Sequence, residues 1–168
     1  MEPTSRKYLF FDLDGTLTDS MPGIARAVQY ALRRFGIDVQ DLAALKPFLG
    51  PPLRDSFMEF YGMSPEEADR AVAVSREYFV PRCMFENELY PGIPELLAAT
   101  AAAGRVNVIA TSKPQPFAER IAAHFGIDRH FRLISGSTFD GRRKTKADVI
   151  RHALSALGIA PDEAVMIG

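Results

Sequence analysis

The fold is decided by the stretch Tyr8-Leu9-Phe10-Phe11-Asp12-Leu13-Asp14-Gly15-Thr16-Leu17-Thr18-Asp19-Ser20. It opens with four apolar residues that do not alternate with polar ones, a pattern typical of a strand buried on both faces of a parallel sheet. Asp12 and Asp14 follow where this strand ends, and Gly15 permits a sharp bend. Ligands of open α/β sheets bind beside the carboxyl ends of the strands, so we expect both carboxylates to line a ligand crevice.

Two carboxylates placed one residue apart can share a hard cation with a substrate oxygen. One of them can also attack phosphorus while the other moves a proton. A calcium loop of the EF-hand type is excluded, because Gly15 comes too early and Gly23 occupies the position of the bidentate Glu. An ordinary polar turn uses the same residue types, so the residues alone leave a turn and phosphoryl chemistry both open.

The rest of the chain divides into a helical part and an alternating part. Apolar periodicity between about Pro22 and Val80 predicts helices and no strand, including one helix from Leu53 to about Tyr61. The sequence Ser64-Pro65-Glu66-Glu67 predicts a capping box at the start of another helix. From Tyr90 onward, short apolar runs alternate with helical patterns, which predicts βαβ units and a parallel sheet.

These patterns predict a Rossmann-like α/β core formed by residues 1–18 and 84–168, with strands at residues 106–110, 131–134 and 164–167. A helical cap is predicted at residues 19–83, inserted directly after the first strand. An insertion of that size is far longer than an ordinary βα loop, and we expect it to act as a lid over the site.

Composition limits the classes of partner. The net charge of -1 provides no long-range field that would recruit nucleic acid or an anionic membrane. Cys83 is the single cysteine, so no internal disulfide can form, which suits a reducing compartment. No apolar stretch has the anatomy of a signal peptide or the length of a membrane span. We expect a cytoplasmic protein that acts on a small molecule, as a monomer or weak homodimer.

Further polar residues are candidates for holding a substrate. The hydroxyl of Thr111 and the backbone N–H groups near Ser112 can face the same crevice as Asp12, although a Thr-Ser pair also caps helices. Lys113 is interpreted as a solvated loop residue. Arg54, which follows Gly50-Pro51-Pro52-Leu53 in the cap, can grip an anionic or polar leaving group, although an exposed surface Arg is the commoner situation.

The chain resembles the haloacid dehalogenase-like phosphohydrolases, nearest to the phosphoglycolate phosphatase-like and 5'-nucleotidase-like branch. The motifs that carry the resemblance are Phe-Asp-Leu-Asp-Gly-Thr-Leu-Thr-Asp-Ser, Gly-Pro-Pro-Leu, Glu-Asn-Glu-Leu-Tyr-Pro-Gly, Ala-Thr-Ser-Lys-Pro and Lys-Ala-Asp-Val-Ile, in that order. The family's fourth motif, a further acid after a strand of the type Val-Met-Ile-Gly, would follow residue 168, so we expect the core to continue beyond the sequence in hand.

The resemblance implies a phosphatase in which Asp12 attacks phosphorus and forms an aspartyl-phosphate, while Asp14 serves as acid and then as base. It implies Mg²⁺ held by the Asp12 side chain and the main-chain carbonyl of Asp14, with Thr111 and Lys146 on the phosphoryl oxygens. Lys144 is the alternative to Lys146. Phosphoglycolate and nucleoside 5'-monophosphates are the expected substrates. A phosphoglucomutase-type phosphotransferase and a catalytically inactive scaffold remain as other possibilities.

Overall fold

The computed structural model describes residues 6–168, so the first five residues of the predicted core segment 1–18 lie outside it. The chain separates into two units, one comprising the residues up to Thr18 together with Leu89–Gly168 and the other comprising Asp19–Glu88. The second unit begins where the cap is predicted to begin and ends at residue 88, compared with the predicted 83. Its role as a lid stays a prediction.

Six strands are present among the described residues. They are β1 (Tyr8–Phe11), β2 (Thr18–Asp19), β3 (Glu88–Leu89), β4 (Val106–Pro114), β5 (Phe131–Ser137) and β6 (Ala164–Ile167). Four of them form one sheet in the order β5-β4-β1-β6, and every neighbouring pair in it is parallel. Phe11 lies opposite Ile109 of β4 and Ile167 of β6, so the residues after these positions meet at one edge of the sheet. The predicted α/β fold with a parallel sheet is confirmed.

Six α-helices accompany the strands in the part of the chain that the structure describes. They are α1 (Met21–Arg34), α2 (Leu53–Tyr61), α3 (Pro65–Tyr78), α4 (Ile93–Ala102), α5 (Gln115–His124) and α6 (Lys146–Leu157). The predicted capping box is present at the start of α3, where the Ser64 hydroxyl accepts from the Glu67 N–H group at 3.2 Å and Glu67 accepts from the Ser64 N–H group at 2.9 Å. Within residues 6–168, none of the helices combines the length and the apolar character that crossing a bilayer would require.

Burial explains why β1 lies inside the sheet. Successive strand residues point to opposite faces, and both Phe10 and Phe11 are almost fully buried. Phe10 packs in a cluster with Val149 and Ala153 of α6, while the ring of Phe11 meets that of Phe131 edge-on at 6.3 Å. The first strand is therefore covered on both faces, as its unalternating apolar run predicts.

The second unit has a core of its own, formed by α1, α2, α3 and a 3₁₀ segment at Leu42–Phe48. Val28, Leu32, Phe48 and Phe57 are among its fully buried side chains. The helical character predicted for this part of the chain is confirmed.

β4 is longer than the sequence predicts, because it continues past residue 110 to Pro114. Its pairing with β5 is irregular there: Ala110 lies opposite Ser135, and the next pair is Pro114 with Ser137. Three residues of β4, 111–113, therefore lie opposite the single residue Gly136 of β5. This β-bulge comes at the carboxyl edge of the sheet, where bulges commonly redirect side chains.

Candidate active site

A tight turn after β1 places the two predicted acids. Leu13 and Leu17 are fully buried and anchor the turn, and the Leu13 carbonyl accepts a hydrogen bond from the Leu17 N–H group at 3.0 Å. Gly15 has φ 76°, a backbone conformation that residues other than glycine rarely adopt. The chain thus reverses directly after Asp14, and Asp12 and Asp14 both remain at the edge of the sheet.

Asp12 is fixed from several directions. Its N–H group donates to the Ile167 carbonyl of β6 at 2.9 Å, and its Oδ1 accepts from the Leu13 N–H group at 2.8 Å. A Cβ added to Gly168 would lie 2.8 Å from the Asp12 Cβ, so a side chain at 168 would have to displace Asp12. The Asp12 side chain nevertheless remains 18% exposed, which leaves the carboxylate open to a ligand.

Lys146 forms an ion pair with Asp12, because its Nζ lies 2.5 Å from Asp12 Oδ2. The same Nζ donates to the Ala110 carbonyl at the end of the regular part of β4, at 3.4 Å. The structure therefore brings Lys146 to the predicted nucleophile. Lys144, the alternative, is exposed.

A capping box determines where α6 begins and hence where Lys146 lies. The Thr145 hydroxyl accepts from the Asp148 N–H group at 3.1 Å, and the Asp148 carboxylate accepts from the Thr145 N–H group at 2.9 Å. The hydrogen bonds from Thr145 lower the pKa of Asp148. The Thr-x-x-Asp spacing is visible in the sequence and is a further signal that favours Lys146 over Lys144 as the first residue of the helix.

The interpretation of Lys113 as a solvated residue is wrong. Its side chain is 5% exposed, and its Nζ donates to both carboxylate oxygens of Asp14 at 2.8 Å. Asp14 is itself only 12% exposed. The bulge in β4 explains the difference, because a residue expected in a loop after the strand lies within an irregular strand at the sheet edge.

Thr111 and Ser112 occupy the same bulge. Thr111 is buried, and its hydroxyl accepts a hydrogen bond from the Lys113 N–H group at 3.2 Å. The Ser112 carbonyl accepts from the Ser137 hydroxyl at 2.8 Å, which ties the bulge to β5. Thr111 and Ser112, two of the three predicted phosphate-binding residues, thus lie next to Lys113 in the bulge, although their contact with a phosphate stays a prediction.

Arg54 lies on α2 in the second unit. Its Nε donates to Asp69 of α3 at 2.7 Å, and its side chain is 32% exposed. The predicted substrate contact of Arg54 is not tested by these contacts.

A buried hydrogen bond attaches α6 to the sheet. The Ser135 hydroxyl lies 3.0 Å from both the Val149 carbonyl and His152 Nδ1. Burial lowers the pKa of His152 below its ordinary value of 6.5, and the nearby Arg143 guanidinium lowers it further.

Because folding disfavours protonated His152, its contribution to stability is complete above the pKa of the unfolded chain and is lost as the pH falls through the lower pKa of the folded state. We expect His152→Asn to flatten the pH dependence of the free energy of unfolding between about pH 7 and pH 5. Urea titrations at both ends of that range measure it. Identical pH dependences in the two proteins would contradict the assignment.

Two acids and two ammonium groups therefore share one edge of the sheet. The pair of Asp12 with Lys146 is partly open to solvent, whereas the pair of Asp14 with Lys113 is closed. An accessible oxygen nucleophile, a second carboxylate and fixed cations are the groups that phosphoryl transfer uses, since its transition state spreads negative charge over the phosphoryl oxygens.

Known proteins resemble this chain over nearly its whole length. A Pseudomonas aeruginosa protein named 5'-nucleotidase is 50% identical over 160 residues, which cover 95% of this chain and 72% of the relative. The crystal structure of a predicted phosphatase from Clostridium acetobutylicum has a TM-score of 0.95 at 48% identity, and the match covers 97% of this chain and 76% of that one.

A third relative is named as a kinase and not as a phosphatase. The tyrosine-protein kinase PtkA of Mycobacterium tuberculosis is 40% identical over 164 residues, covering 98% of this chain but 56% of the kinase. This chain thus spans just over half the length of that relative.

Residues 7–168 match the family model for haloacid dehalogenase-like hydrolases. Together with the named phosphatase and 5'-nucleotidase relatives, this match confirms the predicted hydrolase class. The chain belongs to the haloacid dehalogenase-like hydrolase family.

Proposed function

We propose that the chain is a Mg²⁺-dependent hydrolase of small phosphomonoesters that works through an aspartyl-phosphate on Asp12. The observation that carries the proposal is the partly exposed Asp12 carboxylate, held 2.5 Å from Lys146 Nζ beside a second carboxylate at Asp14. A carboxylate can attack phosphorus only where cations balance the charge of both reactants, and Lys146 supplies such a charge.

The reaction has two steps. In the first, an Asp12 oxygen forms a bond to phosphorus as the bond to the leaving oxygen breaks, and Asp14, which enters this step in its protonated form, gives that proton to the leaving oxygen. In the second, Asp14 takes a proton from water, which attacks the same phosphorus; the bond to Asp12 breaks and inorganic phosphate leaves. Lys146, the Thr111 hydroxyl and the N–H groups near Ser112 hold the phosphoryl oxygens throughout.

The donor set suits Mg²⁺. Within residues 6–168 no three or more His, Cys, Asp or Glu side chains are grouped to hold a metal, so a bound metal would have to be one that needs few protein ligands. Mg²⁺ prefers oxygen ligands and keeps several waters, so the Asp12 carboxylate and the main-chain carbonyl of Asp14 fit it, with the Asp14 side chain nearby. When bound, Mg²⁺ neutralises charge on the transferring phosphoryl group.

Nucleoside 5'-monophosphates are the leading substrates, because the relative at 50% identity is named 5'-nucleotidase. Phosphoglycolate is second, since a relative at 27% identity is named phosphoglycolate phosphatase. In the cap, Arg54 is proposed to bind the leaving group. Its ion pair with the 63% exposed Asp69 is of the weak surface kind, so a substrate anion can replace Asp69.

A second candidate is phosphotransfer to an acceptor other than water. The observation that favours it is the 40% identity to a protein named tyrosine-protein kinase. The same aspartyl-phosphate would then pass its phosphoryl group to a hydroxyl. Release of inorganic phosphate in stoichiometric amounts distinguishes hydrolysis from this transfer.

A panel of phosphomonoesters tests the proposal. We expect nucleoside 5'-monophosphates to be hydrolysed with the highest kcat/KM, and we expect EDTA to remove at least about 90% of the activity, since the transferring charge then lacks its cation. Measured phosphate release should return on addition of Mg²⁺. Full activity in EDTA would refute the metal requirement. Equal kcat/KM values for all phosphomonoesters of the panel would refute the nucleotide preference.

A further inference from the structure

The bulge in β4 leaves backbone groups of β5 without their regular partners. Between the pairs Ala110–Ser135 and Pro114–Ser137, β4 advances four positions while β5 advances two. The N–H and carbonyl groups of β5 in this interval cannot all meet β4 backbone. Buried backbone groups of this kind require other partners.

The side chain of Gln115 supplies two of those partners. Its Nε2 donates to the Ile134 carbonyl at 2.7 Å, and its Oε1 accepts from the Gly136 N–H group at 2.7 Å. One primary amide thus pairs with a carbonyl and an N–H group two residues apart on β5, as the N–H and carbonyl groups of one residue in a parallel neighbouring strand would do. Gln115 side-chain atoms therefore stand in for β4 backbone at the bulge.

Two further observations show that this contact is closely fitted. Gly136 is buried, and a Cβ at this position would lie 2.7 Å from the Gln115 Cα and 2.7 Å from the Lys113 carbonyl oxygen, so only glycine fits. Arg143 completes the arrangement, because its Nε donates to the Gly136 carbonyl at 3.0 Å. The backbone of Gly136 is thereby bonded on both its N–H and carbonyl sides by side chains.

We infer that Gln115 is a positioning residue for the phosphoryl-transfer site. It acts through the bulge at 111–113: by bonding β5 in place of β4, it allows Thr111 and Lys113 to leave the regular ladder, and Lys113 then reaches Asp14. The effect of Gln115 on catalysis rests on the proposed function. Its stabilisation of the bulge through hydrogen bonds to β5 does not depend on that function.

The test compares Gln115→Met with Gln29→Met in the full chain. Methionine keeps the approximate length of glutamine but makes neither hydrogen bond. Gln29 is the matched control, since its Nε2 also donates to a backbone carbonyl, that of Val39, at 2.7 Å, but within the second unit. Amide hydrogen exchange of a peptide spanning the bulge, and kcat and KM for an aryl phosphate, are measured below the melting temperature of every variant.

For Gln115→Met we expect exchange in the bulge peptide to be at least about tenfold faster, because its amides lose protection when the brace is removed. We expect kcat to fall at least about tenfold with KM changed much less, because a displaced catalytic group costs rate rather than binding. Gln29→Met should change neither quantity. Unchanged exchange at the bulge would overturn the inference, and faster exchange with an unchanged kcat would reduce Gln115 to a purely structural role.

The conservative variant Gln115→Glu tests whether activity is recovered at low pH. Protonated glutamic acid at position 115 has a donor and an acceptor for the two β5 groups, whereas the carboxylate lacks the donor and repels the Ile134 carbonyl. Two charged groups also face this position: the Glu119 carboxylate, 2.7 Å from Gln115 Nε2, opposes the carboxylate form, and Arg143, 3.4 Å from Gln115 Oε1, favours it. The activity of Gln115→Glu relative to the parent protein should therefore rise as the pH falls toward about 4–5. A pH-independent ratio would contradict the inference. If the parent protein shows no phosphatase activity, the proposed function fails, and the exchange experiment still decides whether Gln115 braces the bulge.

Discussion

Replacing Asp12 by Asn is expected to lower phosphatase turnover by at least about 10³-fold, because loss of the nucleophile in covalent catalysis removes the reaction path itself. An amide of the same shape keeps the hydrogen bond from the Leu13 N–H group, and the neighbouring backbone contact to Ile167 does not involve the side chain. The variant should therefore fold normally. Steady-state hydrolysis of a chromogenic aryl phosphate measures the loss.

The matched control for this substitution is Asp162→Asn, which alters an exposed carboxyl in the same unit and should retain full activity. Mass spectrometry of acid-quenched reactions adds a direct readout: the parent protein should carry one phosphoryl group on Asp12, and the Asn variant none. Turnover retained by Asp12→Asn would show that another group attacks phosphorus and would sink the mechanism.

The position of the two acids could be predicted because local features determine it. An unalternating apolar run, two acids and a glycine specify a buried strand followed by a sharp turn, and β1 with Gly15 at φ 76° has that form. Parallel pairing then brings the ends of β1, β4 and β6 to one edge by a general rule of such sheets. The strand and the turn depend on residues within a few positions of one another, and the pairing of distant strands follows that general rule without any particular contact having to be known.

The environment of Lys113 could not be predicted in the same way. Its burial depends on a bulge that two other residues permit: Gly136 of β5 has no side chain to obstruct the Lys113 carbonyl, and Gln115, the first residue of α5, bonds the β5 backbone beside it. These contacts join positions that are 19 to 23 residues apart in the sequence, and hydrophobic periodicity carries no information about them. The sequence pattern accordingly predicts that the strand ends at residue 110.

The position of Lys146 could be predicted only in part from the sequence. The family resemblance implies a lysine at the start of a helix, and two lysines lie near that point. The choice depends on the first residue of α6, which the capping box of Thr145 and Asp148 determines. Local capping chemistry thus distinguishes the lysine that reaches Asp12 from its exposed neighbour.

The second large effect is expected for Lys113→Met. The substitution leaves the Asp14 carboxylate, 12% exposed, without the ammonium that bonds both its oxygens. Breaking one side of a buried ion pair typically costs about 3–5 kcal/mol in the free energy of unfolding. We also expect kcat to fall at least about 10²-fold, because the acid–base group is no longer held in place.

A double variant separates these two consequences. Lys113→Met combined with Asp14→Asn removes both charges, so it should regain most of the lost stability, which urea unfolding measures, while remaining inactive. Arg142→Met serves as the control, since it breaks an ion pair with Asp140 in which the Arg142 side chain is 83% exposed, and it should leave stability and kcat nearly unchanged. A Lys113→Met protein that folds and turns over substrate like its parent would show that Asp14 needs no partner, and the pairing would then have no part in catalysis.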